Sequence, residues 1–139
     1  MTGAHRNTIC VENAEVLKHA GYPDEQFVLR LHAPECAARA KPGSFIHIRC
    51  GADLPMRRPL SIMRARPAEG WIEVLYKTMG HGLQRLSEAQ PGDLLSILGP
   101  IGNGFGPDDT RTIPVLIGGG VGIPPLVFLA EHLTKNHPA

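Results

Sequence analysis

Arg57-Arg58-Pro59-Leu60-Ser61 begins a predicted strand and is the most informative stretch of this 139-residue chain. The guanidinium of Arg58 offers a fork of donors that matches phosphate oxygens, and Pro59 stiffens the backbone behind it. The hydroxyl of Ser61, further along the same strand, can reach a heteroaromatic ring. The stretch therefore predicts a strand that contacts both an anion and a ring.

Two glycine-rich turns later in the chain complement this strand. Gly80-His81-Gly82 opens a helix predicted over 82–89, and the run from Gly118 to Gly122 leads into Pro124-Pro125. Glycines at a helix start let backbone N–H groups approach an anion closely. Together the three segments predict a flavin nucleotide laid across a small barrel, with a second nucleotide site beginning near the end of the chain.

The strand pattern predicts an all-β fold, a six-stranded antiparallel Greek-key barrel with one short helix. Sixteen Gly and thirteen Pro favour many turns,. A helical turn is also expected over 33–40, and either Phe45 or Ile48, or a neighbour, is expected to face the core. Alternating apolar residues predict strands over 8–20, 27–32, 45–50, 59–66, 71–78 and 94–98.

The pattern changes after residue 106. Ile113–Ile117 is a nearly continuous apolar run, typical of a strand buried on both faces of a parallel sheet. Glycines follow, and 126–133 is predicted as a helix, which completes the first β-α unit of an incomplete α/β nucleotide-binding domain. We therefore predict a barrel domain over 1–106, a linker within 102–109 and the start of a truncated second domain over 107–139. A truncated end that exposes the apolar run 126–129 predicts self-association or disorder of that helix.

Composition excludes several classes of function. The formal net charge is +1, so no overall field favours nucleic acid or an anionic membrane,. No apolar run reaches the ~20 residues of a membrane span, and the polar N-terminus is unlike a signal peptide, which predicts a cytoplasmic protein. The three cysteines and seven histidines show no metal-ligand spacing, so reduced thiols and no metal site are expected,.

In this order the segments resemble the ferredoxin reductase superfamily, and within it the electron-transfer subunit of the dihydroorotate dehydrogenase B type. The resemblance runs from about residue 42 to 128 and implies only the N-terminal part of such a subunit. Leu60 stands where plant-type reductases have Tyr or Phe, which favours the dihydroorotate type. The segments that carry the resemblance are Pro42–Ile48, Arg57–Ile62, Gly80–Gly82, Gly92-Asp93, Leu98–Phe105 and Gly118–Pro125.

The resemblance implies cofactors and partners. The barrel would bind FAD, and the domain that follows it would bind NAD(P)H. A C-terminal cysteine cluster, which this sequence lacks, would hold a [2Fe–2S] centre. The partner would be a catalytic dehydrogenase subunit or another redox protein, in an oxidoreductase of pyrimidine biosynthesis, and this fragment alone would be incomplete for turnover.

The resemblance also assigns residues. Arg58 would hold the FAD pyrophosphate, with Arg57 a solvated neighbour, and Ser61 would stand by flavin N5 as the catalytic residue. Leu83 stands where relatives have Thr or Ser, so backbone amides alone hold the phosphate or FAD affinity is reduced. The remaining cofactor-binding assignments are Pro59, Leu60, Leu75, Tyr76, Lys77, Gly80, His81, Gly82, Gly119 and Gly120, with Tyr76 equally suited to the core.

Two alternatives remain open from the sequence. The chain could be a non-catalytic barrel that docks a partner and has lost its cofactor. It could also be the flavin subunit of a hydrogenase- or transhydrogenase-like complex, because substrate choice lies in the partner.

Overall fold

The computed structural model describes residues 8–106 and 113–136. Six antiparallel strands close into a barrel in the order β1-β2-β5-β4-β3-β6, so the predicted all-β barrel is confirmed. The strands are β1 (Cys10–Tyr22), β2 (Gln26–His32), β3 (Phe45–Ile48), β4 (Arg58–Arg66), β5 (Trp71–Lys77) and β6 (Leu94–Ile101). The helices are α1 (Pro34–Arg39), α2 (Gly80–Leu86) and α3 (Ile123–Asn136), with a 3-10 turn at Gly120–Gly122.

The barrel core is built from the inward-facing residue of every strand. Alternation along a strand sends successive side chains to opposite faces, so an apolar residue at every second position fills the interior. Each strand contributes at least one side chain that is no more than 1% exposed, among them Val16, Leu29, Ile46, Ile62, Val74 and Ile97.

Element boundaries differ from the prediction at several points. β1 continues through Tyr22, and the turn after it has positive φ at Asp24 and Glu25. The barrel carries two short helices where one was predicted, because the helical turn expected over 33–40 forms α1. α2 begins at Gly80, two residues before the predicted start.

The second unit is present as a helix without its strand. α3 forms after the glycine run, as the sequence predicts, and packs on β4 through the buried side chains of Phe128 and Leu129. The prediction of a strand over Ile113–Ile117 is wrong for this structure. Such a strand needs neighbours to satisfy its backbone, and the described residues provide none in a parallel sheet. The predicted linker over 102–109 is described only as far as residue 106, and the predicted start of the second domain at 107 lies outside the described residues.

No helix within the two described ranges has the length and apolar character needed to cross a bilayer.

Candidate functional site: a groove between two diverging strands

The site lies where β4 and β5 separate. Their ladder ends at the pair Ile62–Val74. Beyond it Ser61 pairs with Phe45 on β3, and Leu75 pairs with Val28 on β2. Beyond that pair β4 is bonded to β3 only and β5 keeps only its pairing with β2, so a gap opens between residues 58–61 and 75–77.

The gap is part of a groove of about 420 Å³ with mostly apolar walls. This volume is in the range of small-molecule sites, which combine apolar walls with a few polar groups. Six of the predicted cofactor-binding residues line it, namely Pro59, Leu60, Ser61, Leu75, Tyr76 and Lys77. Four further residues complete the lining, namely Phe45, Met79, Leu83 and Val121.

Arg58 lies against Gly82, which joins the start of β4 to α2. A Cβ added at Gly82 would stand 3.0 Å from Nε of Arg58 and 3.3 Å from its Cζ. Arg58 is half-buried, and its guanidinium forms no hydrogen bond or ion pair with any residue in the described ranges. A guanidinium with its fork free is suited to bind phosphate oxygens. The structure thus places the Arg58 guanidinium next to the Gly80–Gly82 turn, the two features that the sequence assigns to the same ligand.

The close approach at Gly82 gives a test that separates folding from ligand binding. In Gly82→Ala the new methyl group displaces the Arg58 guanidinium, while alanine favours the helix by up to about 1 kcal/mol relative to glycine. We expect unchanged or slightly higher thermal stability, together with a loss of FAD affinity of about ten-fold, because one charge-assisted hydrogen bond is worth ~1.5–3 kcal/mol. Calorimetric titration with FAD and a melting curve measure the two effects, and equal FAD affinity in the variant would contradict the role of this contact.

α2 itself contributes little charge to the site. It has only seven residues, so its dipole is small, and no side chain caps its first turn,. Gly80 has a φ of +80°, a conformation that lets the chain turn sharply into the helix,. His81 is exposed and lines no part of the groove. The anion-binding potential of this end therefore depends on Arg58 and the backbone amides.

Ser61 is half-buried in the wall of the groove. Its hydroxyl has no hydrogen-bond partner elsewhere in the described part of the chain. Since strand pairing with Phe45 fixes its backbone, the hydroxyl is held at the groove and is available to a ligand.

Tyr76 is a core residue as well as a groove residue. It is 1% exposed, and its ring stacks on Phe27 with centroids 5.6 Å apart. Nδ1 of His19 faces the carbonyl oxygen of Ala89 at 2.8 Å, so in a neutral ring Nδ1 carries the proton and Nε2 accepts the Tyr76 hydroxyl at 2.8 Å,. Burial, with a smaller contribution from Cys50, raises the pKa of Tyr76. Its hydroxyl is therefore bound internally and does not face a ligand.

Near the groove the structure corrects the expectation for Arg57 and decides between the alternatives left open for β3. Arg57 is not a solvated neighbour, since it donates to the carbonyl and hydroxyl oxygens of Ser96, each at 2.8 Å, and so ties the start of β4 to β6. Ile46 and Ile48 face the core, and Phe45 therefore points to the opposite face and lines the groove. Strict alternation along β3 could have indicated this.

The glycine run before α3 lies at the mouth of the groove. Gly119 precedes the 3-10 turn, and Gly120 has a φ of +56°. Neither glycine lines the groove, whereas the neighbouring Val121 does. The motifs do not predict Val121 and Met79 as groove residues, because their recognisable chemistry lies in the neighbouring glycines and polar residues. An apolar residue between the glycines of a motif is the signal that the sequence offers, and the structure shows Val121 to be 72% exposed.

The cysteines lie apart from the groove lining. All three are free thiols, and burial raises the pKa of Cys36 to about 12. Within the described ranges no group of three or more His, Cys, Asp or Glu side chains could hold a metal ion.

The fold and groove define a ferredoxin reductase-like barrel. A solved NADH-dependent reduced ferredoxin-NADP oxidoreductase superposes with a TM-score of 0.75 at 28% identity, covering 97% of this chain and 46% of that one. No family model matches the chain.

Curated relatives narrow the resemblance to one kind of subunit. The dihydroorotate dehydrogenase B (NAD(+)) electron transfer subunit of Geobacillus kaustophilus is 43% identical over 102 residues, covering 69% of this chain and 39% of that protein. Its counterpart in Desulforamulus reducens is 35% identical over 131 residues, covering 90% of this chain and 48% of that protein. The chain thus spans less than half the length of these two relatives. The predicted resemblance to the N-terminal part of a dihydroorotate dehydrogenase B type electron-transfer subunit is therefore confirmed.

Proposed function

We propose that this chain is the FAD-binding module of an NAD(P)H-linked electron-transfer flavoprotein, similar to the dihydroorotate dehydrogenase B electron transfer subunit. The observation that carries the proposal is the apolar groove between the separated ends of β4 and β5. The Arg58 guanidinium, which has no partner in the described part of the chain, lies beside it. A flat heteroaromatic ring attached to a diphosphate requires this combination of an apolar slot and a cation.

The residues present fit such a group. Arg58 and the backbone at Gly80 and Gly82, with His81 between them, would hold the diphosphate. Strand ends that no longer pair with each other leave backbone groups for ring heteroatoms. The walls of the slot would be Pro59, Leu60, Leu75, Tyr76 and Lys77. When bound, the flavin supplies the hydride and electron chemistry, while the protein supplies binding and orientation.

Ser61 would be the catalytic residue of this module. Its free hydroxyl is held at the groove, where it can donate to the ring edge and orient it. We propose that Gly119 and Gly120 belong to the loop that receives the nicotinamide, in a second domain that begins after the barrel of 1–106. NAD(P)H binding, a [2Fe–2S] centre and a catalytic dehydrogenase partner would belong to the longer protein.

The direct test is to add FAD to the purified chain. We expect a flavin absorption band that stays with the protein on gel filtration. A 100-fold excess of ligand over its Kd adds about 2.7 kcal/mol of stability, so the melting temperature should rise by several degrees. Colourless protein whose melting temperature ignores FAD would contradict the proposal and select the non-catalytic docking module.

A further inference from the structure

Helix α3 meets the barrel through a charged cluster as well as an apolar contact. Glu131 on α3 accepts from Nε of Arg64 at 2.6 Å and lies 3.4 Å from Nη2 of Arg66. Arg64 also contacts Glu73 at 3.0 Å, and Arg30 donates to the same carboxylate at 3.0 Å. We call Arg30, Arg64, Arg66, Glu73 and Glu131 the charge cluster. It joins β2, β4, β5 and α3.

Glu131 differs from the other members of the charge cluster in its share of the negative charge and in the element that carries it. Its five members are three cations and two carboxylates, and Glu131 is the only member that lies on α3. Burial alone would raise the pKa of the Glu131 carboxyl, but hydrogen bonds and charge from Arg64 and Arg66 lower it below its ordinary value. Its removal would leave Arg66 with no carboxylate partner among the described residues, and Arg64 with Glu73 alone.

The first residues of α3 connect this contact to the groove. α3 begins at Ile123, directly after the turn that carries Val121 into the groove lining. Pro124 is fully buried, so the helix contacts the protein interior from its first turn. An α-helix rises 1.5 Å per residue, so Ile123 and Glu131 lie ~12 Å apart along α3. Because the helix is stiff, its two ends move together. A tilt at Glu131 moves the turn at the other end.

We propose that Glu131 is a positioning residue, which through Arg64 and Arg66 fixes the angle of α3 on the barrel and so keeps Val121 over the groove. The inference depends on the proposed function only for the identity of the groove's occupant, a flavin. The apolar contact of Phe128 and Leu129 holds α3 to the barrel, and the charge cluster sets its orientation.

The test compares Glu131→Gln and Glu131→Lys with the parent chain. Trp71 is the single tryptophan of the sequence and lies beneath Arg30, whose Cζ is 4.0 Å from its ring centroid, with Arg66 at 5.6 Å. Its fluorescence therefore reports the charge cluster without any ligand. Hydrogen exchange of the amides of 119–131 reports α3 and the turn, and iodide quenching of added FAD reports how far the groove is covered.

We expect Glu131→Gln to alter Trp71 emission and to speed exchange in 119–131 by about three- to five-fold, as for loss of partly exposed ion pairs. Iodide should quench bound FAD more strongly, and Glu131→Lys should enlarge all three effects through repulsion. High salt should produce the same changes in the parent chain. The matched control is Glu35→Gln, which removes the exposed pair with Arg39 on α1 and should leave all three readouts unchanged.

Unchanged exchange in 119–131 for both Glu131 variants would overturn the proposal, whatever FAD does. Altered exchange with unaltered quenching of bound FAD would also overturn it, because α3 would then move without uncovering the groove. If FAD does not bind, the proposed function fails separately. Exchange at the Gly122 amide, which donates to the Gly119 carbonyl at 3.0 Å, then decides whether Glu131 holds the turn.

Discussion

Arg58→Gln is expected to weaken FAD binding by about 100-fold, because two charge-assisted hydrogen bonds to a diphosphate are lost at ~1.5 kcal/mol or more each. Glutamine keeps a similar length and polarity but carries no charge. Arg58→Lys should recover only part of the affinity, since an ammonium group keeps the charge but lacks the planar fork. The measurement is titration of each purified variant with FAD, followed by absorption or calorimetry.

The matched control for this prediction is Arg49→Gln, which removes the same charge from an exposed position after β3. It should bind FAD as the parent does. Because the Arg58 guanidinium makes no hydrogen bond or ion pair with other described residues, its replacement should leave the melting temperature of the FAD-free chain nearly unchanged. Equal FAD affinity for Arg58→Gln and the parent would remove Arg58 from the site.

Glu73→Gln is expected to lower the free energy of unfolding by about 2–3 kcal/mol. The Glu73 side chain is 6% exposed and receives both Arg30 and Arg64. Loss of one partner of a buried ion pair typically costs ~3–5 kcal/mol, and we expect less here because both arginines are about one-third exposed and can turn to water. Urea denaturation should show a lower midpoint with an unchanged slope.

Glu88→Gln provides the comparison for Glu73. It removes the exposed ion pair between Arg85 of α2 and Glu88, which follows the end of that helix. Such pairs contribute at most about 0.5 kcal/mol, so its denaturation midpoint should match that of the parent within error. Identical losses in the two variants would show that burial of Glu73 adds nothing to the pair.

The barrel could be predicted because its determinants are local. Alternation and turn residues mark each strand, and one inward residue per strand, such as Ile62 or Val74, is buried as the pattern requires. The pairing of Arg58 with the glycine turn could also be proposed, since a cation and close backbone approach serve the same ligand. These signals depend on residue type and spacing and need no knowledge of distant contacts.

What the sequence did not predict depends on long-range contacts. Arg57 and Arg58 are chemically identical neighbours. The positions of Ser96 and His47 give Arg57 a structural role, whereas the guanidinium of Arg58 has no partner among the described residues. The hydroxyl of Tyr76 is occupied by His19, which lies 57 positions away in the chain. An apolar run such as Ile113–Ile117 has strand character, but a strand forms only where neighbours pair with it.

Because the ladder between β4 and β5 ends at Ile62–Val74, a ligand in the slot would occupy the place of the missing strand pairing. Below that pair the two segments are attached only to β3 and β2, so their separation can change by bending and without rupture of a ladder. A planar ligand bound there would contact both segments and hold them at a fixed separation. The stiffness of the barrel should therefore increase as the fraction of chains with bound ligand increases.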